Sequence, residues 1–434
     1  MTDTIYAPSS ALGGAVAVLR VSGPGSRHIV NGILSKTVFD APGQLTHCNV
    51  LSAGGEVLDD CMAVFFASPH SYTGEDMLEI HCHGGYAAVS AVLNRLYETG
   101  AVPAQAGEFT KRAFLNGKMD LTRAEAVMDL VNAHADRSRR AALRQLKGGL
   151  ESRVNEAEEM LLNALSTIDA SLDYPDEMEE QAGAEVREQL QKAALLLHKW
   201  AQEGRQGRVL RDGITAVLCG KPNVGKSSLL NRLLEEERAI VTELPGTTRD
   251  IIREDTVFFG VPVHMVDTAG IRTADNAAEV IGIQRAKQAV ETADIVLVLI
   301  DGSAPVSKED EEILAETKLQ RRLIVRTKKD LTQRSEVDSD ISVSAVTGEG
   351  IDALKQAVIK AAGPGDSDGT VTNERHVAAL SEAALAVEDA LKADEADCVA
   401  TDIRNALHAL GQISGREADE DVIDRIFSRF CVGK

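Results

Sequence analysis

The sequence predicts a multidomain chain: an N-terminal α+β domain, a helical domain, and an α/β domain inserted into the helical one. Three observations carry this prediction. The length, 434 residues, exceeds one ordinary domain at roughly 150 residues each. Hydrophobic residues make up 44% but aromatics only 3%, so the cores rest on Ala, Leu, Val and Ile, which suit helices and α/β sheets. The texture of the chain also changes along its length, from Gly- and Pro-punctuated apolar runs to helical periodicity, then to strand–helix alternation, and back to helix.

The elements follow in order. In residues 1–118, A-V-A-V-L-R-V (Ala15 to Val21), C-M-A-V-F-F (Cys61 to Phe66) and M-L-E-I-H-C (Met77 to Cys82) are predicted strands, and Gly84 to Leu96 a helix. In 119–210 Ala, Leu, Glu and Arg recur with helical period. The run from Arg137 to Leu172 reads as extended helix, and Tyr174-Pro175-Asp176 as a break. In 211–365, I-T-A-V-L-C, P-V-H-M-V-D, D-I-V-L-V-L-I, L-I-V-R-T and I-S-V-S are strands alternating with helices, which implies a mostly parallel sheet. A Gly- and Asp-rich linker (Gly363 to Thr370) leads to helical texture in 366–434; similar composition favours one helical domain with an insertion over the alternative of two unrelated helical domains.

Charge narrows the function classes. Lys plus Arg total 46 against 67 for Asp plus Glu, a net charge of −21. Such a chain repels polyanions on average, so any nucleic-acid contact is local or delegated to a partner. No apolar run approaches the ~20 residues that span a bilayer, and the start lacks a secretory pattern. The six cysteines are scattered without metal spacing, four of them in apolar contexts typical of core residues. The expectation is a cytoplasmic protein with no membrane association.

The residues with the clearest chemistry are Gly220-Lys221-Pro222-Asn223-Val224-Gly225-Lys226-Ser227, a G-x-x-x-x-G-K-S run between a predicted strand and a predicted helix. Backbone amides from Asn223 to Ser228 can converge on phosphate oxygens at a helix N-terminus. Lys226 is placed for the β- and γ-phosphates, and the Ser227 hydroxyl for Mg²⁺. Downstream, Thr248 in G-T-T-R-D is the second Mg²⁺ ligand, with Thr242 and Thr247 nearby. Asp267 and Gly270 in D-T-A-G face the metal and the γ-phosphate. Thr327, Lys328 and Asp330 in T-K-K-D, with Ser344-Ala345, select guanine, Asp330 accepting from the two nitrogens that adenine lacks. Order and spacing are those of a Ras-like P-loop GTPase domain. Thr327 replaces the more usual Asn, which predicts weaker guanine affinity with specificity retained. Ile271 stands where Ras-type enzymes have a water-orienting Gln, so another group must do that work. Glu279 is the candidate, against the plainer reading of a solvated acid before a helix.

Beyond these motifs, I-V-T-E-L-P-G-T-T-R-D, D-T-A-G-I-R, N-G-K-M-D-L-T-R-A-E-A, T-N-E-R-H and the terminal F-C-V-G-K resemble the MnmE (TrmE) family of tRNA-modification GTPases over essentially the whole chain. The resemblance implies an N-terminal domain that dimerises and binds a formyl or methylene tetrahydrofolate at Arg20, Glu79, Lys118 and Lys434. It implies a K⁺ site at Asn223, Thr242, Leu244 and Thr247 that replaces an arginine finger, and a thiol role for Cys431. It further implies a heterotetramer with an MnmG-type FAD protein, which holds the FAD. Together they build a carboxymethylaminomethyl or aminomethyl group on the wobble uridine of certain tRNAs. On the residues alone, Asn223 reads first as a turn residue, Cys431 as a buried core thiol, and lone charges are usually solvated.

Two further readings stand beside this one. The alternating His81 and His83 share a strand face, but two ligands without a third make a weak metal site. Arg137, Arg140, Arg144 and Lys147 fall near one helical face, either a local RNA or partner contact or a solvated face with neighbouring acids. The competing function is a GTP-dependent assembly switch acting on ribosomal RNA or protein, which needs no folate.

Overall fold

The computed structural model describes residues 3–173, 181–235, 253–267, 284, 287–365 and 367–434. They pack as two units, Met1–Met128 with Gly411–Lys434, and Asp129–Leu410.

In the first unit β1 (Ile5–Pro8), β2 (Val16–Ser22), β3 (Thr46–Leu51), β4 (Val57–Phe66), β5 (Met77–His83) and β6 (Val102–Pro103) form one sheet, ordered β3-β4-β5-β2-β1-β6. All neighbours are antiparallel except β1 and β6. Alternation decides what each face carries. Leu19, Val21, Ile80 and Cys82 face α1 (Ser26–Ile33) and α2 (Tyr86–Glu98), where Ile29, Ile33, Val89 and Val92 complete a core. Arg20 and Glu79 therefore point to the opposite face. There α3 (Glu108–Leu115) contributes Phe109 to a smaller cluster with Ile5 and Ala7.

The second unit begins with the rest of α4 (Leu121–Val131), then α5 (Asp136–Leu146), α6 (Gly149–Asp173) and α7 (Gln181–Asp212). The run expected to be one helix from Arg137 is two, parted at Gly148, whose φ of 85° leaves the helical region. The break expected at Tyr174 to Asp176 lies outside the described residues.

Gly213 connects α7 to a six-stranded sheet ordered β12-β11-β10-β7-β9-β8. Its strands are β7 (Ile214–Cys219), β8 (Arg253–Phe258), β9 (Val261–Asp267), β10 (Ile295–Asp301), β11 (Arg322–Thr327) and β12 (Ile341–Ser342). The sheet is parallel apart from β8, which the sequence reading did not include. Both faces are covered, so the central strands are apolar throughout. Leu218 and Leu297 go to one core, and Val217, Val296 and Val298 to the other. Among its described helices are α8 (Lys226–Glu235), α9 (Lys308–Glu316) and α10 (Ile351–Ala362).

Past this sheet, α11 (Glu374–Lys392) packs along α7, with His198 Nε2 2.7 Å from Glu388 Oε1. Helices from both sides of the α/β segment thus pack together, the geometry of an insertion. α12 (Ala396–Ser414) leads to the last segment of the first unit. There α13 (Glu420–Phe427) packs Ile423 and Phe427, with Phe430, against Leu121 and Ala124. Among the described residues no helix is long and apolar enough to cross a membrane.

Candidate functional site

The phosphate-binding loop lies between β7 and α8. Asn223 takes φ 62° and Gly225 φ 100°, a left-handed pair that turns backbone amides towards the α8 N-terminus. Val224 is fully buried and anchors the loop in the core. The Lys226 ammonium donates to Gly220 O at 2.7 Å and Lys221 O at 2.8 Å, bridging the loop's first turn. Ser227 and Ser228 are exposed on the first turn of α8, and Asn223 is exposed at the loop's apex. Asp267 ends β9, whose register sets it opposite Leu218, with its side chain buried.

The loop expected to select guanine is tied to this one. Thr327, buried at the end of β11, has one hydroxyl proton to donate, to Val224 O at 2.7 Å or Ile300 O at 3.2 Å. The residue that departs from the usual Asn thus still clamps the phosphate loop to the base loop. Lys328 has φ 55° and its Nζ sits 2.6 Å from Asp301 Oδ2. Burial pushes the Asp301 carboxyl up, but the bonds from Lys328 and Ser303 outweigh it and hold it below the usual carboxylate range. Asp330 is exposed, and the fully buried Ser344 donates to its Oδ1 at 2.6 Å. That bond leaves the carboxylate fixed for a planar pair of N–H donors. Ala345 follows at the same edge. Sequence reasoning missed Asp301, which no motif marks.

Thr242, Leu244, Thr247, Thr248, Gly270 and Glu279 lie outside the described residues. The donor set that is described, the Ser227 hydroxyl and the Asp267 carboxylate, is made of hard oxygens suited to Mg²⁺.

The first unit holds the second group of candidates. Arg20 and Glu79 are direct cross-strand neighbours, joined from Nε at 3.0 Å and Nη2 at 2.8 Å to one carboxylate oxygen. The guanidinium also lies 5.2 Å from the Tyr72 ring centroid and 5.7 Å from that of Phe109, a stacked and partly desolvated cation. Lys118 instead donates to Pro69 O at 2.8 Å, in the loop that supplies Tyr72. The C-terminal segment docks on the same domain. Val432 bridges Ala106, and Gly107 N donates to Cys431 O at 3.4 Å. Gly433 has φ 93°, and a Cβ there would lie 2.0 Å from Pro8 O, so only glycine passes. This brings Lys434 to the end of β1, the strand paired with that of Arg20. Cys431 is exposed, unlike a core thiol, whereas Cys48, Cys61, Cys82 and Cys219 are buried.

His81 and His83 each find a carboxylate, Glu79 at 3.7 Å and Asp59 at 2.8 Å, and no group of three metal-ligating side chains is assembled among the described residues. On α5, Arg139 and Arg140 both pair with Asp136 at 2.7 Å, and Arg144 bonds Asp368. These acids blunt the basic stripe.

A six-stranded sheet with one antiparallel edge, a phosphate loop after its first strand and a base loop after its fifth define a Ras-like P-loop GTPase domain, here set inside a helical domain. Comparison with known proteins extends this to the whole chain. Residues 121–431 match the family described as the MnmE helical domain, and residues 4–118 that described as the GTP-binding protein TrmE N-terminus. The tRNA modification GTPase MnmE of Thermotoga petrophila is 42% identical over 100% of both chains. Its namesake from Natranaerobius thermophilus is 39% identical over 100% of this chain and 99% of its own. Among solved structures, Era bound to MgGDPNP and a 16S ribosomal RNA fragment is 27% identical over 34% of this chain and 56% of its own, with a TM-score of 0.27. The chain belongs to the MnmE family.

Proposed function

We propose that this chain hydrolyses GTP, with K⁺ stimulation, and that with an FAD-dependent MnmG-type partner it modifies the wobble uridine of certain tRNAs. The group added is carboxymethylaminomethyl or aminomethyl, its carbon drawn from a formyl or methylene tetrahydrofolate. The observation that carries this reading is identity at 42% along the full chain with a tRNA modification GTPase. The end-to-end likeness, folate region included, favours it over an assembly switch. In this reading the protein is a cytoplasmic homodimer.

The roles divide by site. Asn223 to Ser228 cradle the phosphates, and Lys226 leaves its carbonyl partners for the β- and γ-oxygens. Ser227 and Thr248 would hold Mg²⁺, with Asp267 acting through water; the ion, when bound, offsets phosphate charge. Asn223, Thr242, Leu244 and Thr247 would hold K⁺ beside the α- and γ-phosphates, where a cation does the work of an arginine finger. Glu279 orients the attacking water. Asp330, held by Ser344, accepts from guanine. In the first unit Glu79 accepts from the pterin ring, while Arg20, Lys118 and Lys434 supply cations for carboxylates. Cys431, exposed and accepting at its carbonyl from the Lys434 N–H, would meet the folate-borne carbon.

GTP turnover in KCl and in NaCl at equal ionic strength tests the nucleotide half. A K⁺-specific stimulation lost in Asn223→Ala supports the ion site. Equal slow rates in both salts would remove it.

A further inference from the structure

We infer that Lys221, the second residue of the phosphate loop, is a positioning residue that fixes that loop through the buried carboxylate of Asp310. The G-x-x-x-x-G-K-S pattern leaves position 221 free, so no motif assigns it a task.

Its two ends are both occupied. The ammonium lies 2.7 Å from Asp310 Oδ2 and 3.2 Å from Ser307 Oγ. The Lys221 carbonyl accepts from Lys226 Nζ. One residue therefore joins α9 to the lysine that meets the phosphates. Asp310 has 0% exposure. Its Oδ2 also takes the Ser307 N–H at 2.9 Å and hydroxyl at 2.8 Å, closing the capping box of α9. Its Oδ1 has no partner among the described residues, and Lys221 is the one cation bonded to it there. Burial pushes this carboxyl up, yet the bonds from Lys221 and Ser307 outweigh it and hold it low.

Two roles are open to such a pair. Lys221 could only neutralise Asp310, or the anchored side chain could also hold the loop in its phosphate-binding shape. The second role follows from the carbonyl. A loop pinned at Lys221 keeps Gly220 O and Lys221 O together as the cradle of Lys226, so binding orders less chain. Released, the loop samples other shapes, and affinity drops by the fraction that is competent.

The inference rests on the GTPase reading, and variants of the full chain separate the two. Lys221→Met should raise the Kd for GDP and the KM for GTP about tenfold, with kcat within about twofold. It should also lower the thermal midpoint, because a buried carboxylate loses its partner. Lys221→Arg should restore both. The deciding variant is Lys221→Met with Asp310→Asn, which removes both charges. The account expects the midpoint to recover and KM to stay raised. Recovery of KM with the midpoint would reduce the pair to charge neutralisation and overturn the positioning role, as would an unchanged KM in Lys221→Met. Failure of the wild-type chain to bind GDP would instead overturn the GTPase reading itself.

Discussion

The nucleotide site and the Arg20 site, proposed above for folate, are built in opposite ways. The first is drawn largely from backbone: a loop of eight residues, Gly220 to Ser227, presents amides and a helix terminus, and side chains such as Thr327, Ser344 and Asp301 brace it. The second is drawn from side chains far apart in sequence. Arg20 and Glu79 meet only because β2 and β5 are in register, and Lys434 arrives only because Gly433 passes Pro8. Backbone sites are compact in sequence and carry recognisable spacing. Side-chain sites depend on register and docking, which spacing does not reveal.

That contrast can be broken or sharpened by substitution. The largest effect is expected for Asp330→Asn, which should cost on the order of 10³-fold in GTP affinity and turn preference towards XTP. Folate binding should be untouched; measured Kd values for GTP, XTP and folate check this. Retained GTP selectivity would sink the assignment. Glu279→Ala should lower kcat by ~10² with GTP affinity intact, read by single-turnover hydrolysis. Unchanged turnover would strike Glu279 from the site.

The reciprocal changes belong to the first unit. Glu79→Gln should weaken tetrahydrofolate binding about tenfold, because a carboxylate acceptor and the partner of Arg20 go together. GTP turnover should stay at the wild-type rate. Calorimetry with the folate and a GTPase assay give both numbers, and coupled losses would contradict the separation of the sites. A smaller effect is expected for Thr327→Val, which removes the hydroxyl clamp on Val224 O: roughly threefold to tenfold weaker GDP binding, with guanine specificity kept.

The legibility of the fold follows the same division. The phosphate loop, Asp267 and T-K-K-D were readable because each belongs to one short motif at a strand end. The strand β8 was not, because R-E-D-T-V-F opens on three charged residues and, among its described side chains, buries only Thr256 and Phe258. A half-buried edge strand lacks the continuous apolar run that marks the central ones. The long helix expected from Arg137 is split by Gly148, a single residue whose positive φ nothing in the helical pattern announces. The positions Arg20, Glu79, Lys118 and Lys434 came from family likeness alone. The pairing of Arg20 with Glu79, and the stacking of Arg20 on Tyr72 and Phe109, are properties of the sheet.

The smallest effect is one of pH. Asp301 and Asp310, both in the nucleotide-binding domain, have carboxyls held below their ordinary values. A depressed value favours the folded state above the unfolded carboxylate pKa of about 4, and the gain is lost as pH falls through the folded values. Acid should therefore destabilise this domain, and Asp301→Asn should flatten that slope below about pH 4. Unfolding midpoints across that range provide the check; an unchanged slope would mean that other carboxylates dominate.

The central claim, that GTP hydrolysis in one domain serves tRNA chemistry based on the other, is met most directly by reconstitution. The full chain, its FAD-dependent partner, tRNA, a tetrahydrofolate donor and GTP are combined, and the wobble nucleoside is analysed by mass spectrometry. The account predicts modified uridine with the wild-type chain and none with either Lys226→Ala or Gly433→Ala, although only Lys226→Ala loses GTP turnover. Modified uridine formed by Lys226→Ala, with no GTP hydrolysed, would contradict it.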